Sequence, residues 1–74
     1  MPHVTIKHFA GLLDEQHKDG LVQEVAEAIQ RAFGCDDGVI SVAVEPVPQE
    51  VWRERVYLPE IAHGGRALAK KPNY

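Results

Sequence analysis

Pro2 is the residue of this sequence whose type and position could do acid-base chemistry. A small second residue such as proline allows the removal of Met1, and removal changes the Pro2 nitrogen from an amide to a secondary amine. A free α-amino group has a pKa of about 7.7 to 8.0, and burial lowers this pKa toward neutrality because burial disfavours the charged form. Such an amine can act as a general base in proton transfers such as keto-enol interconversion.

Other residues with chemical potential lack the spacing that a site requires. No two histidines stand at the i, i+2 or i, i+4 spacing of a metal site; the histidines are His3, His8, His17 and His63. Cys35 has no local signature of a catalytic nucleophile and is interpreted as a turn cysteine. Gly64-Gly65 lacks the third glycine of a phosphate-binding loop and is interpreted as a turn. The sequence therefore predicts no metal and no cofactor.

The length of the chain favours assembly. Its 74 residues and 8.2 kDa are predicted to form one domain, residues 1–74. A chain this short buries only about 60% of the surface that its unfolded form exposes, so a single copy is marginally stable. Cys35 is the only cysteine, which excludes an internal disulfide and a four-cysteine zinc site. A homo-oligomer is therefore the predicted source of added stability.

The charge balance limits the partners. Eight Lys and Arg residues against 11 Asp and Glu residues give a net charge of −3 and a pI near 5.7. This balance lacks the basic surplus that nucleic-acid binding requires. No stretch approaches the ~20 apolar residues of a membrane span, and the first residues lack the pattern of a secretory signal. With one unpaired cysteine, the sequence predicts a cytoplasmic protein without a nucleic-acid or membrane partner.

The elements that must position Pro2 are a strand, a helix and a second strand. Alternating apolar and polar residues predict a strand over Pro2 to Phe9. An apolar stripe at helical spacing predicts a helix that Asp14 caps, that runs to about Phe33 and that Gly34 ends. A β-branched run predicts a strand over Val39 to Val44. This order is a βαβ unit, whose strands should be parallel with a right-handed crossover.

The parity of Pro2 in the first strand predicts its environment. Pro2 shares this parity with Val4 and Ile6, so its ring is expected on the buried side of the sheet. Two strands alone do not form a stable sheet, so the sheet is expected to extend across an oligomer.

The end of the chain predicts a short helical tail. Pro46 and Pro48 are expected to end the second strand. Helical spacing of apolar residues predicts a short helix over Gln49 to Val56, and residues 66–71 fit a further helical turn.

The sequence resembles the 4-oxalocrotonate tautomerase family. The motifs that carry the resemblance are Met1-Pro2 before an apolar strand, Asp14-Glu15-Gln16 before a helix, Glu24 to Ile29 within that helix, and the strand Val39 to Val44. The ending looks most like the PptA branch of that family, through Trp52, Glu60-Ile61-Ala62 and Lys70 to Tyr74. The resemblance implies an α+β fold built on the βαβ unit, and the ending implies a dimer.

The resemblance also implies the site. Pro2 matches the amino-terminal proline that the family uses as its acid-base group. Trp52 matches an aromatic residue that lines the pocket, although a bulky aromatic on a short helix can equally be core. Two arginines that bind a dicarboxylate substrate in the family align with Leu12 and Ser41 here. The predicted substrate-binding residues are therefore Leu12, Ser41 and Trp52, and none of them carries the positive charge of the family arginines.

The missing arginines change the expected substrate. A doubly anionic dienol is expected to bind poorly unless another cation replaces the lost charge. The candidate cations are Arg53, Arg55, Arg66 and His63. An arylpyruvate enol, which is less charged and more apolar, suits Leu12 and Trp52 better, and Ser41 can donate one hydrogen bond to it.

Two functions of different classes follow. The first is a cofactor-independent keto-enol tautomerase, an isomerase in which Pro2 takes the enol proton of a 2-oxo acid and returns it to carbon. The alternative is a non-catalytic βαβ binding or assembly module that keeps the scaffold, which the loss of both arginine positions favours. Removal of Met1 would favour the tautomerase, because only then is the Pro2 nitrogen a basic amine, and retention of Met1 would favour the non-catalytic module.

Overall fold

The elements of the chain follow the order strand, helix, strand, helix. The computed structural model describes residues 1–64 and 67–74. Its main elements are β1 (His3–Phe9), α1 (Glu15–Phe33), β2 (Ser41–Val47), α2 (Gln49–Trp52) and a π-helical segment (Arg53–Ala62). β1 and β2 are parallel neighbours, which confirms the predicted βαβ fold with one long helix and a short helical tail. No helix within the described ranges has the length and apolar character to cross a membrane.

The capping residues of α1 act as the sequence predicts. The Asp14 carboxylate accepts a hydrogen bond from the His17 backbone N–H at 2.8 Å, and this bond lowers the pKa of the Asp14 carboxyl. Gly34 has φ 63° and donates its N–H to the Gln30 carbonyl at 2.8 Å. A glycine adopts this left-handed conformation without steric cost. Both predicted ends of the helix are confirmed, because capping depends on neighbouring residues only.

β2 begins at Ser41, so the predicted start at Val39 is wrong. Asp37–Val39 form a short 3₁₀ turn instead. Within this turn the Ile40 N–H donates to the Asp37 carbonyl at 3.1 Å. The turn uses backbone groups that a strand needs for its ladder, so pairing starts only after it.

β2 continues through Pro46 to Val47, so the prediction that Pro46 ends the strand is wrong. The Ser41 N–H donates to the Pro2 carbonyl at 3.2 Å at one end of the ladder. The Ala10 N–H donates to the Val47 carbonyl at 2.9 Å at the other end. The backbone N–H and C=O groups of the odd-numbered residues of β2 therefore point toward β1. The Pro46 nitrogen points toward the opposite, open edge of β2, where the lack of an N–H removes no hydrogen bond between the strands.

The helix after β2 is longer and wider than predicted. Instead of ending at Val56, it passes from α2 into the π-helical segment, which runs to Ala62. The His63 N–H donates to the Leu58 carbonyl at 3.0 Å, an i to i+5 bond. The wider turn accommodates Pro59, whose ring in an α-helix would clash with the carbonyl four residues earlier. The predicted Gly64-Gly65 turn and the helical turn at residues 66–71 include Gly65 and Arg66, which lie outside the described residues.

A single copy leaves much of its surface uncovered. Val47 and Val56 are the only buried side chains within residues 1–64 and 67–74, at 7% and 5% exposure. The chain exposes 5816 Å², whereas a compact monomer of its mass exposes about 4,500 Å². Its radius of gyration is 13.8 Å, against about 11 Å for a compact domain of this length. These values fit a subunit of an assembly better than an isolated globule.

Val56→Ala is expected to lower the free energy of unfolding by about 2 kcal/mol, because it removes two buried methyl groups and leaves a cavity. Urea unfolding at one fixed protein concentration measures the loss, since assembly makes stability depend on concentration. Val39→Ala is the matched control, because Val39 is 37% exposed. Equal losses in the two variants would contradict this assignment of the core.

Candidate active site

Pro2 lies at the amino-terminal end of the sheet, directly before β1. It is half-buried, as are Val4 and Ile6, while His3 and Thr5 are exposed. The predicted parity is therefore reproduced, although the regular strand starts one residue after Pro2. The hydrogen bond from the Ser41 N–H to the Pro2 carbonyl, at 3.2 Å, fixes the terminus beside the start of β2. The role of Pro2 as a base stays a prediction.

The Ser41 hydroxyl contacts the His3 imidazole at the amino-terminal end of the sheet. The register pairs His3 with Ser41, and His3 Nδ1 lies 2.6 Å from Ser41 Oγ. His3 Nε2 lies 3.3 Å from Thr5 Oγ1, so the ring is held between two hydroxyls. A serine hydroxyl has one donor and two acceptor sites, so it can accept from His3 and still donate to a ligand. Sequence analysis missed His3, because only the strand register places it against a residue 38 positions away.

Leu12 and Trp52 lie at the other end of the sheet. Leu12 follows the carboxyl end of β1 and is 74% exposed. Trp52 packs edge-to-face on Phe9, the last residue of β1, with ring centroids 4.9 Å apart and an interplanar angle of 87°. A seven-residue strand spans about 20 Å, and neither cavity that Trp52 lines includes Pro2. In one chain the predicted site residues therefore lie at two ends of the sheet, Pro2 and Ser41 at one end and Leu12 and Trp52 at the other, and Leu12 lines neither cavity that Trp52 lines.

Trp52 lines a cavity that is mostly aromatic. This aromatic cavity has a volume of about 730 Å³, and its lining residues are Phe9, Trp52, Arg53, Tyr57 and Tyr74. Tyr57 and Tyr74 stack with centroids 5.9 Å apart at 29°. Small-molecule sites have volumes of roughly 300 to 1,000 Å³. Trp52 packs on Phe9 and also lines this cavity, and its role in binding substrate stays a prediction.

Tyr57 joins the aromatic cavity because of the π-helical winding. Trp52 and Tyr57 are five residues apart, and α-helical spacing would place them on different sides of the helix. An i to i+5 winding brings residues five apart onto the same side. Sequence analysis assumed an α-helix here and therefore missed Tyr57. Phe9 and Tyr74 were missed because their contacts depend on how the tail packs against the sheet.

The candidate cations differ in their surroundings. The Arg53 guanidinium carbon lies 5.8 Å from the centre of the Tyr57 ring, in cation-π range, and Arg53 lines the aromatic cavity. Arg55 and His63 do not line the aromatic cavity. Arg66 lies outside the described residues.

Lys7 forms an ion pair that ties the tail to the sheet. Its ammonium binds the Glu60 carboxylate of the π-helical segment. The hydrogen bond to Glu60 raises the pKa of Lys7 above its ordinary value. Both residues line a second cavity, of about 760 Å³, which Thr5 and Trp52 also line. The ion pair therefore holds the tail across the same face of the sheet that carries His3 and Ser41.

Within residues 1–64 and 67–74, no three His, Cys, Asp or Glu side chains come together as a metal site. The side-chain groups that meet at the amino-terminal end of the sheet are the Ser41 hydroxyl and the His3 imidazole.

The chain belongs to the tautomerase family, because the family model described as Tautomerase enzyme matches residues 2–53. The match begins at Pro2 and includes Trp52. It confirms the predicted family and indicates an isomerase, which favours the enzyme over the non-catalytic module.

The individual relatives carry the same kind of name. The chain is 42% identical to Tautomerase PptA of Enterobacter sp. (strain 638) over 74 residues, which are 100% of this chain and 97% of that protein. It is 36% identical to Tautomerase PptA of Pectobacterium carotovorum subsp. carotovorum (strain PC1), with the same coverage. It is 36% identical to a protein named Probable tautomerase of Xylella fastidiosa (strain 9a5c), covering 100% of this chain and 89% of that protein. The predicted resemblance to the PptA branch is confirmed.

Proposed function

We propose that this protein is a cofactor-independent keto-enol tautomerase in which the Pro2 nitrogen, freed by removal of Met1, is the general base. The observation that carries the proposal is the position of Pro2, half-buried and held by the Ser41 N–H at 3.2 Å. A held, partly desolvated amine is a better base near neutral pH than one on a free terminus. The start of the family match at Pro2 supports the same role.

The proposed reaction moves one proton. The Pro2 nitrogen takes the hydroxyl proton of the enol while the carbon-oxygen bond at C2 becomes a carbonyl. The protonated nitrogen then gives a proton to C3, so the substrate is isomerised and the amine is restored. In this proposal the Ser41 hydroxyl donates a hydrogen bond to the oxygen of the substrate; the bond from the Ser41 N–H to the Pro2 carbonyl, at 3.2 Å, supports this role because it holds the two residues side by side.

The proposed substrate is the enol of an arylpyruvate-like 2-oxo acid. Leu12 and Ser41 supply no charge at the positions where the family arginines are expected, so a dicarboxylate would leave buried charge unpaired. The aromatic cavity offers ring surfaces for an aryl group. Both features favour an aromatic monoanion over a dienol with two carboxylates.

The proposed enzyme is a cytoplasmic homodimer, in which the single domain encoded by residues 1–74 begins at Pro2 after Met1 is removed. Pro2 and Trp52 lie at opposite ends of β1 in one chain, so a substrate that touches both needs Pro2 from one copy and the aromatic cavity from another. The large exposed area and the two bare strand edges in the described residues support such an assembly. The unpaired Cys35 is compatible with a reducing compartment.

Pro2→Ala is expected to slow the decay of an arylpyruvate enol about tenfold or more, followed by its absorbance. Alanine leaves a primary amine on a freely rotating terminus where the ring fixes a secondary amine. Pro46→Ala is the matched control, because Pro46 is exposed at the open edge of β2, and its rate should stay within about twofold. Equal rates for native protein and Pro2→Ala would overturn the proposed base, and faster turnover of a doubly anionic dienol would overturn the substrate class.

A further inference from the structure

We infer that Arg53 binds the substrate carboxylate and that the aromatic cavity around it selects aryl acids with a single carboxylate. The inference rests on the proposed function, because it names the residue that replaces the missing family arginines. Arg53 is the one candidate cation in the described residues that lines the aromatic cavity.

The geometry places one positive charge among four aromatic rings. Phe9 and Trp52 form an edge-to-face pair at 4.9 Å, and Tyr57 and Tyr74 form a stacked pair at 5.9 Å. The Arg53 guanidinium lies over Tyr57 at 5.8 Å. A ring face attracts a guanidinium without neutralising its charge, so the cation is oriented while its N–H donors stay available.

No internal partner competes for the charge in the part of the chain that the structure describes. The ion pairs found there join Lys7 to Glu60 and Glu15 to Lys18, and the Asp14 carboxylate contacts the His17 ring. Arg53 takes part in none of them, in contrast to Lys7, the cation of the second cavity. A ligand carboxylate can therefore bind Arg53 without first breaking an ion pair.

The composition of the cavity sets the ligand class. A guanidinium binds a carboxylate through two parallel N–H donors, and this pairing is stronger than a neutral hydrogen bond. The rings provide apolar contact for an aryl group at the other end of the same ligand. A second carboxylate would face aromatic surface without a cation of its own, which is costly. The cavity therefore favours an aryl group and one carboxylate in the same small molecule.

A binding measurement tests Arg53 without relying on turnover. Trp52 is the only tryptophan of the chain, so its fluorescence reports on ligands that enter the aromatic cavity. The probe is 3-(4-nitrophenyl)propanoate, and its neutral amide is the matched ligand. The carboxylate is expected to bind Arg53→Gln about 10- to 100-fold more weakly than native protein, whereas the amide binds both equally. Arg53→Lys should fall between, since it keeps the charge and loses the two-point contact.

Arg55→Gln is the matched control, because Arg55 is a neighbouring arginine that does not line the aromatic cavity. Its Kd for the carboxylate should equal that of native protein. Equal Kd values for native protein and Arg53→Gln would overturn the inference, as would failure of the carboxylate to bind native protein. Equal weakening of carboxylate and amide binding in Arg53→Gln would also overturn it, because the loss would then reflect the fold and not the charge.

Kinetics separates this inference from the proposed function. With an arylpyruvate enol, Arg53→Gln should raise KM about 10- to 100-fold while kcat changes much less. If Pro2→Ala slows turnover but Arg53→Gln leaves KM unchanged, the assignment of Arg53 is wrong and the tautomerase proposal stands. If Pro2→Ala turns over at the native rate but the carboxylate binds through Arg53, the proposed base is wrong and the binding role of Arg53 stands.

Discussion

Protein that keeps one residue ahead of Pro2 is expected to convert an arylpyruvate enol about 10²- to 10⁴-fold more slowly than protein whose chain begins at Pro2, the usual contribution of general acid-base catalysis. An added residue turns the Pro2 nitrogen into an amide, which has no basic lone pair. The comparison needs two preparations of verified intact mass, one starting at Pro2 and one in which Met1 is retained. The measured quantity is kcat/KM.

The structure provides the control for this comparison. The bond that anchors the terminus uses the Pro2 carbonyl and the Ser41 N–H, and it forms with Met1 in place. Urea unfolding and oligomeric state should therefore be the same in both preparations. In the protein that begins at Pro2, kcat/KM should fall as the pH drops below the pKa of the amine, because the protonated amine is no longer a base. Equal rates with and without Met1 would overturn the proposed base, and rates in both preparations that do not exceed the uncatalysed decay would favour the non-catalytic module.

Two inactive variants are expected to restore activity when they are mixed. In one variant a residue ahead of Pro2 blocks the base, and in the other Trp52→Ala removes a wall of the aromatic cavity. If one copy contributes Pro2 and the other contributes the cavity, each mixed dimer contains one intact site. After joint unfolding and refolding in equal amounts, half of the dimers are mixed, so about a quarter of the native activity should return.

Separate refolding of each variant gives the baseline, and mixing without unfolding tests how fast subunits exchange. If the co-refolded mixture is no more active than the sum of the two separately refolded variants, Pro2 and the aromatic cavity of the same chain would form one site. That result would contradict the proposed dimer, which follows from the position of Pro2 and Trp52 at opposite ends of β1. Trp52 packs on Phe9, so its removal can loosen the fold. If urea unfolding reveals such a loss, Arg53→Gln replaces Trp52→Ala, with activity measured at substrate concentrations below the native KM.

Local signals made much of the fold predictable. Asp14 and Gly34 specify the ends of α1 through bonds to residues within four positions, and alternation specifies β1. Pro46 misled the prediction because its effect depends on which edge of the strand faces a partner. The tail misled it because apolar spacing alone does not distinguish α-helical from π-helical winding.

The candidate site was predictable only in part, because some of its contacts join residues that are far apart in the sequence. Pro2 and Trp52 are recognised by type and order in the sequence. The contact of His3 with Ser41 requires the register of strands that are far apart in the chain. The contact of Arg53 with Tyr57 depends on packing in the tail. Residues that act through such non-local contacts carry no signature in their immediate sequence.

The bare strand edges and the uncovered surface of the single chain have a consequence for the cell. If two copies are needed to assemble one site, mass action makes the fraction of active protein depend on how much of the chain is present. Near the dissociation constant of the dimer, activity would rise more steeply than the amount of protein. The level of gene expression would then set a threshold for catalysis, without any bound effector.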